Sequence, residues 1–201
     1  MTTDHDNRQT YREDYDMTTM TTATETAARV WIGCLACYNS GDLVGAWYDA
    51  ADADDVSIDA LHVDSGTIAR VSCEEMWVMD HEHLPIRGER SPAEAAEWGR
   101  LLDDVDEWQR DALLAWVRSG DYVAEGHGDL PSLPDFEEQY AGEWDSFTEY
   151  AVELAEDTGM LAEVPEWARP YFDMDKFAHD LTFDHTTEPA PGGGVYVFRS
   201  L

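Results

Sequence analysis

Lysine is almost missing from this chain. Lys176 is the only one in 201 residues, and lysine and arginine together number 12 against 44 aspartates and glutamates. The formal charge is -32. So negative a field repels nucleic acid and anionic membranes and draws in basic surfaces at enhanced rates. The chain also lacks any run of about 18 apolar residues able to span a bilayer. It has no charged N-terminal start followed by an apolar core, so a soluble, cytoplasmic protein is expected. The three cysteines, Cys34, Cys37 and Cys73, are an odd and sparse set, which argues against a disulfide framework. Catalytic signatures are absent as well. There is no H-E-x-x-H, no D-x-[DN]-x-[DN]-G calcium loop and no G-x-S-x-G elbow. The glycines of "PAPGGG" precede a strand rather than a phosphate-binding helix. No enzyme, cofactor or metal is expected.

What is present is a foldable acidic chain. Hydrophobic residues make up 43%, with 8 Trp, 9 Tyr and 6 Phe. Disordered acidic segments are poor in aromatics. Residues 1–28 are Thr- and Asp-rich without an apolar period and read as a flexible tail, with a short helix possible near Thr21 to Arg29. From Val30 to Cys37 the residues alternate as in a strand. "NSG" (Asn39 to Gly41) signals a turn, and "DLVGAWYDA" returns as a second strand, a hairpin candidate. A short helix is expected from Asp54 or Asp55, and a third strand from Glu75 to Asp80.

Ser91, Pro92 and Glu94 spell a helix start with a capping box. Trp98, Leu101, Leu102 and Val105 form its apolar stripe. Asp106 is placed to cap a second helix, with Trp108, Ala112, Leu113, Trp116 and Val117 inward and Gly120 at its end. A Gly/Pro-rich loop or junction follows. After a possible strand at Phe136 to Tyr140, Asp145 or Ser146 caps a helix running to Thr158, with Phe147, Tyr150, Ala151, Leu154 and Ala155 inward and Gly159 as its stop. "DMDKFAHDL" reads as a further helix, and "VYVF" as a last strand.

Two constellations invite chemistry. "CLAC" (Cys34 to Cys37) matches C-x-x-C, but a zinc site needs two further ligands at suitable spacing. In a strand, residues i and i+3 point to opposite faces, so these read as core cysteines. "DHEHLP" puts His81 and His83 on one strand face, and with His62 and Asp64 a metal site is conceivable. No known spacing supports it.

The carboxylates are better organised. Glu149, Glu153 and Glu156 lie at i, i+4 and i+7 on one helix face, with Asp157 beside them. Glu97, Asp104, Glu107 and Asp111 stay off the apolar stripes of the earlier helices. Asp103, Asp106, Glu137 and Glu138 complete a candidate acidic surface. Neighbours in such a row stand about 5–6 Å apart, a spacing nearer to that of charges along a phosphate backbone than to a catalytic dyad. Any one such face is also what an ordinary solvated helix presents. From Leu101 to Asp157, seventeen acids face two arginines, Arg110 and Arg118. On the scale of one DNA charge per roughly 1.7 Å, the chain's 32 net charges match about 54 Å of duplex, or about 16 base pairs.

Two stretches resemble a known family. "WIGCLACYNSGDLVGAWYD" is similar to the N-terminal signature of the ArdA antirestriction proteins, through Tyr38, Asn39, Gly41, Leu43, Val44, Gly45, Ala46 and Trp47. "EDTGMLAEVPEWARPYFDMDKFAHDL" (Glu156 to Leu181) is similar to the C-terminal signature, through Thr158, Gly159, Val164, Pro165, Tyr171, Phe177, Asp180 and Leu181. The resemblance covers roughly Arg29 to Leu201. The tail before Arg29 has no counterpart in it.

The resemblance implies an elongated α+β protein of three small domains, with short antiparallel sheets and packed helices. On this sequence they fall at 29–90 (α+β), 91–136 (helical) and 137–201 (α+β, with the dimer contact). It implies a DNA mimic that occupies the DNA-binding groove of type I restriction-modification enzymes at their methyltransferase core, protecting incoming mobile DNA. It also implies a homodimer joined near Met160, Leu161, Val164, Pro165, Trp167 and Tyr171, an apolar stretch that could equally pack inside its own domain. A dimer would carry about 64 negative charges, matching about 108 Å of duplex. The rival readings are an acidic, halophile-like surface serving stability alone, a module for some other basic protein, and, last, a hydrolase using the histidines.

Overall fold

The computed structural model describes residues 27–125 and 129–200, so nearly all of the expected tail lies outside the described residues. Strand β1 (Arg29–Cys34) is the centre of the first sheet. It lies antiparallel to β2 (Gly45–Asp49) on one side and to β3 (Met76–Glu82) on the other. Its alternation sends Val30, Ile32 and Cys34 into the core, where Val78 of β3 joins them. Trp31 takes the other face, opposite Trp47 of β2. Together with Trp77 and Met79 they line an aromatic groove of about 560 Å³.

The strand stops earlier than its alternation predicts. At Leu35 the chain turns into a short helix, α1 (Leu35–Asn39). Alternation over eight residues cannot distinguish a full strand from a strand that hands over to one helical turn, because Cys37 is buried either way. The hairpin partner is correct, but α1 and the turn at Ser40–Gly41 fill the connection. Next comes a 3-10 helix (Ala50–Asp55), and then α2 (Ile58–Asp64), capped by Ser57 rather than by Asp54 or Asp55.

Helix α3 (Pro92–Asp103) begins as read from sequence. The Ser91 hydroxyl accepts the Glu94 amide hydrogen, while the Glu94 carboxylate accepts from the Ser91 amide. Trp98, Leu102 and Val105 are buried, and α3 lies along the 3-10 helix. Asp106 stands at the N-cap of α4 (Glu107–Ser119) without a side-chain cap bond. Gly120 closes α4 at φ 84°, a left-handed position that suits glycine. Trp108, expected inward, is instead 68% exposed; it sits in the first turn, before α4 meets the core at Ala112.

The stretch read as a strand at Phe136 to Tyr140 is mostly helix. Ser132 caps α5 (Leu133–Gln139), and the strand β6 (Tyr140–Trp144) begins only where α5 ends. The short pair β4 (Ala124–Glu125) and β5 (Leu130–Pro131) precedes it. Ser146 caps α6 (Phe147–Asp157), and Asp173 caps α7 (Met174–Leu181). The last sheet has the order β6-β8-β7, all antiparallel, with β7 at His185–Pro189 and β8 at Val195–Arg199. Sequence reading missed β7 because "HTTEP" offers no apolar alternation.

The fold is α+β. Its main core runs without interruption from the first sheet through α3, α4 and Phe136 of α5 to Ala190, Tyr196 and Phe198. Trp116, fully buried, donates its indole N–H to Gln139 Oε1 at 3.2 Å, so the polar atom in this core is satisfied. Along β8, Tyr196 and Phe198 face that core, and Val197 points to the opposite side, where Tyr150, Ala151 and Ala155 of α6 are buried.

Candidate functional site: an acidic helical surface

Each acidic helix is fixed in rotation by what it buries. On α3, Ala95, Ala96, Trp98 and Leu102 face inward, which turns Glu97 and Asp103 to solvent. On α4 the buried run Ala112 to Trp116 leaves Glu107 and Asp111 outside, with Asp104 and Asp106 exposed in the α3–α4 corner. On α5, Phe136 and Gln139 are buried and Glu137 and Glu138 exposed. On α6, Tyr150, Ala151 and Ala155 are buried, and Glu149, Glu153, Glu156 and Asp157 are exposed. All twelve candidate acids are therefore at the surface of helices or helix corners.

The arginines are largely committed elsewhere. Arg100 grips Asp54 with two bonds of 3.0 and 2.9 Å, which holds the Asp54 carboxyl below its usual range. Arg70 pairs with Asp42 at 2.8 Å, and Arg90 with Asp129 at 2.8 Å. Arg29 lies 5.5 Å over the Trp47 ring. Two bases reach into the candidate surface: Arg110 stands 3.5 Å from Asp103, and Arg199 donates to the Glu138 carbonyl at 3.3 Å. Glu149 also serves the local backbone, since its carboxylate accepts the Asp145 amide hydrogen at 3.1 Å, ahead of the α6 cap.

The apolar C-terminal candidates are also at the surface. Between α6 and α7 the chain forms successive turns and a 3-10 helix (Arg169–Tyr171). Trp167 is 76% exposed and Tyr171 83%; Met160 and Pro165 are exposed, and Leu161 and Val164 half-buried. Phe183 is exposed nearby in sequence.

The family profile for antirestriction protein (ArdA) matches residues 30–196. The chain belongs to the ArdA antirestriction family. No curated protein matches it. An ArdA-family chain is an antirestriction protein of a non-catalytic inhibitor class, whose partners are restriction enzymes. No helix among the described residues is long and apolar enough to cross a membrane.

One convergence in this ArdA-family chain escaped the sequence reading. Cys34, Cys37, His62 and Cys73 are all buried, and their ligand atoms lie within 4.8 Å of one another. His81 and His83, the histidines considered with His62, are not in this group. The two cysteines of C-x-x-C do not take opposite faces, because β1 ends at Cys34 and the first turn of α1 brings Cys37 back to the same side. The signal in the sequence was a C-x-x-C with a histidine and a cysteine 25 and 36 residues past its second member. Burial first, then the thiols of Cys34 and Cys73, push the Cys37 thiol up to about 12, far from the thiolate of a catalytic cysteine.

Proposed function

We propose that this chain inhibits type I restriction-modification enzymes by imitating B-form DNA in the groove of their methyltransferase core, blocking DNA binding, modification and cleavage. The observation that carries this reading is the exposure of all twelve candidate acids, on helices whose opposite faces are buried and in the corner between α3 and α4. A type I enzyme holds duplex largely through lysine and arginine contacts to phosphates. Carboxylates on rigid helices meet the same side chains. They offer no base edges, so inhibition is indifferent to the recognition sequence.

In this reading the segments 91–136 and 137–201 carry the acidic surface from Glu97 to Asp157, the segment 29–90 is the base on which α3 rests, and mobile DNA entering a cell is what it protects. The exposed apolar stretch with Met160, Leu161, Val164, Pro165, Trp167 and Tyr171 joins two copies, since a desolvated aromatic contact offsets the repulsion between such charged subunits.

The test is competition with labelled duplex for a purified type I methyltransferase. Near-stoichiometric displacement at low salt, weakening as salt rises, is expected. Folded protein in excess that displaces no duplex at low salt would remove the proposal.

A further inference from the structure

We propose that Cys34, Cys37, His62 and Cys73 form a structural zinc site. The four come from the end of β1, from α1, from α2 and from the loop between α2 and β3. Three thiols and one imidazole are a donor set that tetrahedral zinc takes in structural sites. Two sulfurs each about 2.3 Å from one zinc ion sit about 3.8 Å apart, and a sulfur and an imidazole nitrogen about 3.6 Å. Cys37 Sγ stands 3.7 Å from Cys73 Sγ and 4.0 Å from His62 Nε2. Those separations are too long for a disulfide and weak as hydrogen bonds, but they fit donors gathered around one ion.

The histidine is prepared for the role. Thr67 Oγ1 donates its only hydrogen to the His62 carbonyl at 3.2 Å. His62 Nδ1 lies 3.0 Å from the same hydroxyl oxygen. In the tautomer that carries its proton on Nδ1 and donates it to Thr67 Oγ1, the lone pair of Nε2 faces the thiols. An outer hydrogen bond of this kind orients metal-bound histidines generally.

The loop supplies an independent reason. Between Ser65 and Glu75 there is neither helix nor strand, and Ile68 and Val71 are 89% and 98% exposed. Cys73 is the single buried residue of that stretch. The stretch is tied down by Ser65 on the Gly45 carbonyl, by the Arg70–Asp42 pair and by the half-buried Ala69; a metal bond at Cys73 would fasten its far end to β1, α1 and α2 together. Three thiolates and a neutral imidazole around a divalent ion leave one negative charge, and Arg70 lines the same groove as Cys37 and His62, with its carbonyl accepting the Cys73 amide hydrogen at 2.9 Å. A groove of about 440 Å³, lined by Cys37, His62, Thr67 and Arg70 among others, gives an ion a way in.

The full chain, produced with zinc in the medium and purified reduced without chelator, is weighed by native mass spectrometry and its metal measured by plasma emission. One zinc per chain is expected, released when a mercurial reagent titrates the thiols. Cobalt exchanged into the site should show thiolate charge-transfer bands and the intense visible bands of a tetrahedral ion. Cys73→Ser and His62→Ala should each lower the zinc content at least tenfold. Zinc at background in the folded, reduced, unaltered chain overturns the proposal without recourse to any variant. Full zinc content in folded Cys73→Ser overturns it too. Because the readout is metal content, it is independent of whether the chain displaces DNA from any enzyme.

Discussion

Gly99 lies directly against the backbone of Ala50 and Ala51, so that a Cβ on residue 99 would overlap the main chain of the 3-10 helix. This close approach is what lets α3, and the acids it carries, seat against the first sheet. Backbone cannot yield as a flexible side-chain end does, so Gly99→Ala is expected to cost about 1–3 kcal/mol, typical of overpacking. Urea unfolding measures it. An unchanged midpoint would mean that the two helices separate without penalty.

The α3 cap gives a pH signature. The backbone N–H and hydroxyl of Ser91 hold the Glu94 carboxyl below its ordinary value. The unfolded chain therefore takes up this proton more readily than the folded one. The contribution of Glu94 is complete above the ordinary carboxylate pKa and is lost as pH falls through the lowered one. Glu94→Ala should cost up to about 1 kcal/mol near neutrality, as for an exposed acid in a helix's first turn, and the gap from the unaltered chain should narrow in acid. A gap constant with pH would remove the charge from the explanation.

The row on α6 tests distributed mimicry. Glu149→Gln, Glu153→Gln and Glu156→Gln together should weaken inhibition by about 1–3 kcal/mol, at up to roughly 1 kcal/mol per exposed pair. Each alone should change the Kd by no more than about fivefold. Glutamine is the right replacement because it keeps an acceptor for the Asp145 amide that Glu149 now holds. Circular dichroism should show an intact fold. One folded single variant with no inhibition at all would contradict a distributed surface.

For the proposed dimer, Trp167→Ser with Tyr171→Ser should raise the dimer dissociation constant at least tenfold, read by sedimentation equilibrium. Both side chains are mostly in solvent within one chain, so the stability of the monomer should hardly change. A dimer of undiminished strength in the double variant would put the contact elsewhere.

Local chemistry was the legible part of the sequence. Ser91, Pro92 and Glu94 announce α3, and Gly120 ends α4, because each acts through bonds within a few residues. The exposure of the acids on α3, α4 and α6 followed from where the apolar stripe had to go. Trp108 misled because an indole in a helix's first turn satisfies the period without reaching the core. The thiol cluster was illegible for another reason. His62 and Cys73 reach Cys37 across 25 and 36 residues, and only the turn at Leu35 aims Cys34 and Cys37 together. That one handover from strand to helix decided between two buried cysteines and a four-donor cage.

Strand β8 has a different significance. Tyr196 and Phe198 grip the main core on one side, and Val197 seats α6 on the other. The same five residues thus act as a shared rail for α4 and α6. In the proposed mimicry, a partner would meet the carboxylates of α4 and α6 at a separation set by this one strand.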